Sequence, residues 1–111
     1  MNVSVKETSN STIIKIEIEQ MIGYSGTEFQ EAVVNSIKSD KKCVIVDLSK
    51  VTFISSWGLG VLMSGLTNSK NSGKDFRIAC ACDKIRTSFI NTKLDTIFKQ
   101  YNSVEEAASE I

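Results

Sequence analysis

Residues 44–62 read VIVDLSKVTFISSWGLGVL, and the succession of residue types in this stretch decides the architecture. Together with Cys43, the residues Val44, Ile45 and Val46 form an unbroken apolar run, the pattern of a strand covered on both faces and hence of the centre of a sheet. Asp47 stands where that strand ends. Val51, Thr52, Phe53 and Ile54 then lead to the pair Ser55 and Ser56, after which Leu59, Leu62, Met63 and Leu66 recur at helical spacing. The step from turn to helix falls at the serines, whose side-chain oxygens can accept from the orphan amides of a first helical turn.

Working outward, Asn2 to Lys6 and Thr12 to Glu19 alternate, with Ile14, Ile16 and Ile18 on one face and Lys15, Glu17 and Glu19 on the other. They are predicted as two strands joined by the polar turn at Ser9, Asn10 and Ser11. Between Thr27 and Ser39, Phe29, Val33 and Ile37 lie four apart, which predicts an amphipathic helix. Beyond the second helix, the polar stretch from Asn68 to Lys74, with Gly73 as its stop signal, precedes a strand over Phe76 to Cys80. A third helix is expected from about Lys84 to Asn91, a short apolar segment around Ile97 and Phe98, and a last helix from Val104, with Ser103 and Glu106 placed as a capping box. Two strands followed by alternating helices and strands imply an α/β fold, a small mixed sheet with helices packed against it. Ligand and partner sites in such folds gather where strands end and helices begin, here between Ile54 and Gly60.

Composition narrows the function. A chain of 111 residues is expected to form one domain over residues 1–111, and the balance of 13 basic and 13 acidic side chains gives no electrostatic footprint for nucleic acid or a membrane surface. With no run of about 20 apolar residues and an opening of MNVSVKETSNST without the features of a secretory signal, the protein is expected to be cytoplasmic. It is also expected to be monomeric when alone, with no cofactor. The absence of histidine excludes every mechanism that needs an imidazole base. Cys43, Cys80 and Cys82 sit in apolar, strand-like contexts and are expected as reduced core thiols; no second cysteine pair completes a metal site. Gly58 and Gly60 belong to neither a full dinucleotide fingerprint nor a P-loop, so close packing is the simpler account of them. Asp47, with no second carboxylate nearby in sequence, is expected to support the turn by accepting from backbone donors near the serines.

The quoted stretch resembles the signature of the STAS domain, found in anti-sigma factor antagonists, in which a DLS-x-V-x-F strand leads into a D-S-S-G-L-G or I-S-S-x-G-L turn. The ending LDTIFKQYNSVEEA is similar to that family's final strand and helix. The resemblance puts the family's phosphorylated serine on Ser56, with the register pinned by Phe53 and by Gly58, Leu59 and Gly60. Ser55 stands where many members have aspartate, Trp57 where a small residue is commoner, and Ile22 where kinase-docking members carry aspartate. It implies a binding module that regulates transcription by partner switching. A serine-kinase anti-sigma factor is captured by the unphosphorylated chain, phosphorylation of Ser56 ends the capture, and a phosphatase restores it. Ser55, Trp57, Gly58, Leu59, Tyr24 and Ser25 are the partner-binding residues so implied. A serine at the helix N-terminus, Ser56, would also serve as a cap, and the positive end of the helix dipole would tolerate a phosphate there. The alternative is a cytoplasmic accessory subunit of a membrane transporter. An enzyme fits least, because paired carboxylates and a complete phosphate loop are both missing.

Overall fold

The computed structural model describes residues 2–22 and 27–109. Its main sheet has five strands in the order β1, β2, β4, β6, β7, formed by Val3–Glu7, Ser11–Ile16, Cys43–Asp47, Asp75–Ala79 and Lys99–Tyr101. The first pair is antiparallel and the other three are parallel. The apolar run of β4 thus lies at the centre, flanked by β2 and β6, as a strand with no polar face must. Two short strands, β3 (Gln20–Met21) and β5 (Phe53–Ile54), pair in parallel as a separate ribbon, with Gln20 opposite Phe53 and Met21 opposite Ile54.

Side-chain alternation divides the sheet into two unequal faces. Ile14, Ile16, Val44, Val46, Phe76 and Ile78 point into the larger core, where they meet Phe29 and Val33 of α1 (Thr27–Lys38), Leu62 and Leu66 of α2 (Ser56–Asn71), and Ile85 and Phe89 of α3 (Asp83–Asn91). On the opposite face Ile13, Cys43, Ile45 and Ala79 are met by Ala107 of the short helix α4 (Val104–Ser109). Arg77 holds α4 in place. Its guanidinium donates to the Asp75 carboxylate at 2.8 Å and, closely, to the Ala107 carbonyl. The Asp75 contact holds that carboxyl below the ordinary range against the opposing effect of burial.

Sequence and structure differ at two boundaries. Helix α2 runs through Asn71, one turn further than the polar residues suggested, because Ser69 is buried on the core side while its neighbours face water. Gly73 then ends the element with φ of +75°, a conformation that a Cβ disfavours. The segment after Leu94 gives a turn and only three residues of strand, with Phe98 buried against Phe89 at a centroid distance of 5.1 Å. The last helix begins as expected: Ser103 Oγ accepts from the Glu106 amide at 3.0 Å.

Candidate functional site

The N-terminus of α2 is built by three residues with separate tasks. Ser55 is the N-cap, in extended conformation, and its hydroxyl accepts from the Gly58 amide at 3.3 Å while donating to the Met21 carbonyl at 3.0 Å. Gly58 is buried, and a Cβ there would lie 2.7 Å from Ile54 Cγ1 and 2.8 Å from the Met21 oxygen. Only a bare backbone lets the helix approach the β3–β5 ribbon this closely. Ser56 is the first helical residue and is exposed.

This arrangement corrects the assignment of the cap. Ser55, not Ser56, satisfies the orphan amide, so the Ser56 hydroxyl stands at the positive end of α2 without being needed to start it. Leu59 is also placed differently from a docking residue: only 8% of its surface is exposed, and it packs in the main core. Gly58 likewise lies beneath the surface. Trp57 is half-buried and rests against the same core. Tyr24 and Ser25 fall outside the described residues.

Beside the serines the β3–β5 ribbon exposes apolar surface. Phe53 is 40% and Ile22 is 47% exposed. Lys84, in the first turn of α3, lies over the Phe53 ring at 5.8 Å from its centroid. Sequence reasoning used Phe53 only to fix a register and gave Lys84 no role beyond a helix start. Only the pairing of Gln20 with Phe53, which two-residue strands do not announce, shows that Ile22 and Phe53 share this region.

Asp47 does not reach the serine turn. Its Oδ1 accepts from the Ser49 amide at 2.9 Å, a local turn of the kind an aspartate makes two residues on. Its side chain shares the α4 face, lining a cleft with Ile13, Lys15, Val104 and Ala108. It also faces Cys80, whose thiol is pushed up by burial first and by the Asp47 charge second.

The expectation of three core thiols holds for Cys43 and fails for Cys82. Cys43 is buried, Cys80 half-buried and Cys82 exposed. The strand pattern does not continue through the last of these. Cys80 has φ of +65°, turning the chain, and Cys82 becomes the residue before α3, its Sγ 3.8 Å from the Val51 carbonyl oxygen. Among the described residues no group of three acidic or cysteine side chains could hold a metal ion, and no helix is long and apolar enough to cross a membrane.

Comparison with known proteins agrees with this geometry. A family model described as the STAS domain matches residues 2–107. An anti-sigma factor antagonist from Mycobacterium paratuberculosis is similar in structure, with a TM-score of 0.83 at 17% identity over 99% of this chain and 92% of that one. The Bacillus cell fate determinant SpoIIAA in its phosphorylated form gives 0.72 at 13% identity, covering 98% of each chain. A sulfate transporter family protein from Wolinella succinogenes gives 0.79 at 13% identity, over 93% of this chain and 85% of that one. At such identities the likeness is one of fold.

Proposed function

The chain belongs to the STAS domain family, and from that membership we propose that it is an anti-sigma factor antagonist switched by phosphorylation of Ser56. The observation that carries this reading is the division of labour between the two serines. Ser55 is committed to the cap and to Met21, whereas Ser56 is exposed at the first helical position. Phosphate added to Ser56 meets the positive end of α2 and breaks none of the hydrogen bonds that form the turn. The fold therefore survives the modification and the surface changes.

In this reading the docking surface consists of Ser56, the exposed part of Trp57, and Ile22 and Phe53 beside them, with Ser55, Gly58 and Leu59 holding it from beneath. A partner that covers apolar surface here must also desolvate a charge of about −1.5 to −2 once Ser56 is phosphorylated, and that cost ends binding. The protein is then the substrate of a serine-kinase anti-sigma factor in the cytoplasm, and a phosphatase resets it. The test is incubation with that kinase and ATP, followed by mass-spectrometric mapping. Phosphate on Ser56 in the wild type and in Ser55→Ala, with none in Ser56→Ala, supports the reading; phosphate on Ser55 alone overturns it.

A second reading, an accessory domain of a transporter, draws on the similarity to the Wolinella protein and on the exposed Ile22, which suits a constitutive apolar contact. It requires partner binding that is indifferent to the charge at residue 56.

A further inference from the structure

Strand β1 is an edge whose outer side pairs with no other strand among the described residues. Its register identifies the groups left free. Glu17 donates to the Asn2 carbonyl and Thr8 to that of Ser11, at the two ends of the β1–β2 ladder. Hydrogen-bonded pairs alternate along an antiparallel ladder, so the even-numbered residues of β1 face β2. Val3, Val5 and Glu7 therefore direct their backbone N–H and C=O groups outward. On this edge Val5 is 53% exposed, and a cleft of about 380 Å³ lies between Val5 and Glu7 on the strand and Ala32 and Asn35 of α1.

We infer that β1 pairs antiparallel with β1 of a second copy of this chain, joining two sheets across a two-fold axis at Val5. The choice of a second copy rests on self-complementarity. Centring the pair on Val5 sets Val5 against Val5 and Val3 against Glu7, so that every outward group on the strand finds a partner. The same register places Lys6 opposite Ser4, and no charge faces its like. Moving the axis one residue, to Lys6, would set the two lysines directly opposite, which is unfavourable, and would leave Val3 unpaired. Charged residues on an edge normally discourage pairing; here the register centred on Val5 avoids that obstacle. One strand pair is a small interface, so association is weak and grows with concentration. Composition did not anticipate it, because unpaired backbone groups leave no mark on charge or hydropathy.

Sedimentation of the purified chain across a concentration series, up to about millimolar, tests the pairing. The expected result is a mass rising toward that of a dimer, with association weakened about tenfold or more by Val5→Pro. Proline at this position removes an outward N–H and leaves the β1–β2 ladder whole, and an unchanged circular dichroism spectrum shows that the variant is folded. Register is tested in a Cys82→Ser background by mixing Ser4→Cys with Lys6→Cys protein under diamide. These residues oppose each other across the two-fold at a non-hydrogen-bonded position, with Cα atoms about 4.5 Å apart, within disulfide reach. Cross-linking in the mixture above that of either variant alone supports the proposal. A wild-type chain that stays monomeric throughout, or a mixture that links no better than its parts, overturns it.

Discussion

The Ser55 hydroxyl lies 3.0 Å from the carbonyl oxygen of Met21 and donates to it, so the residue that caps α2 also fastens β3 to it. The Ser55 amide donates to the same oxygen at 3.0 Å. The serine turn and strand β3 are therefore one mechanical unit, although 34 positions separate Ser55 from Met21 in sequence. This linkage orders the expected effects of substitution.

Ser55→Ala loses a cap and leaves the Gly58 amide without its side-chain acceptor, which costs about 0.5–2 kcal/mol. Ser56→Ala removes an exposed hydroxyl and stays within about 0.5 kcal/mol of wild type. Denaturant titration of both variants measures the difference. Equal losses, or a larger loss at Ser56, would contradict the assignment of the cap.

The two glycines of the turn have opposite tolerance. Gly58→Ala drives a Cβ to 2.7 Å from Ile54 and 2.8 Å from a backbone oxygen that cannot rotate away, an overpacking worth about 1–3 kcal/mol. At Gly60 a Cβ meets nothing within 4 Å, so Gly60→Ala gains helix propensity, up to about 1 kcal/mol. Thermal melts should move in opposite directions. A stable Gly58→Ala would show that α2 does not press on the ribbon.

Thiol chemistry should distinguish the cysteines. In the folded protein Cys82 reacts with a disulfide reagent well before Cys43, and Cys82→Ser abolishes the fast phase. Burial pushes the Cys43 thiol from 9.0 up to about 11. Between these values the unfolded chain releases a proton that the native chain keeps, so stability is unaffected below pH 9 and falls as pH rises toward 11. The loss is on the order of 2–3 kcal/mol. Denaturation of wild type and Cys43→Ala across this range measures it as the difference in slope, and parallel slopes would remove the attribution to Cys43. Asp47→Ala should lower the Cys80 pKa, since that charge helps to raise it, and speed its alkylation at mildly alkaline pH.

These cases show what the residues themselves disclosed. The apolar run Cys43 to Val46 permitted one place in the sheet, and the alternation of Ile14 and Ile16 fixed which face is buried, because burial of side chains is what patterning encodes. Two adjacent serines encode no choice of cap, since either hydroxyl has the required chemistry and only the Met21 carbonyl selects Ser55. Cys82 was misplaced because strand periodicity was extended past Cys80, where a positive φ breaks it without a glycine to give warning. The ribbon of β3 and β5 was invisible for a simpler reason: two residues cannot show a period.

The charge at residue 56 carries the functional proposal, and two substitutions separate it from the fold. Ser56→Asp places a carboxylate at the first turn of α2, where the helix dipole favours it, so stability should hold or rise by up to about 1 kcal/mol. In the proposed docking surface the same charge joins the exposed Phe53 and Ile22, and a partner covering that surface must strip its water. Binding of the kinase partner should fall by about tenfold or more, which corresponds to 1.4 kcal/mol, while Ser56→Ala binds like wild type and resists phosphorylation. Calorimetric titration of the three proteins against the same partner, at matched ionic strength, measures this. Equal affinity for Ser56→Asp and wild type would mean that residue 56 lies outside the interface, and the accessory-domain reading, with its charge-indifferent contact, would then be the better account.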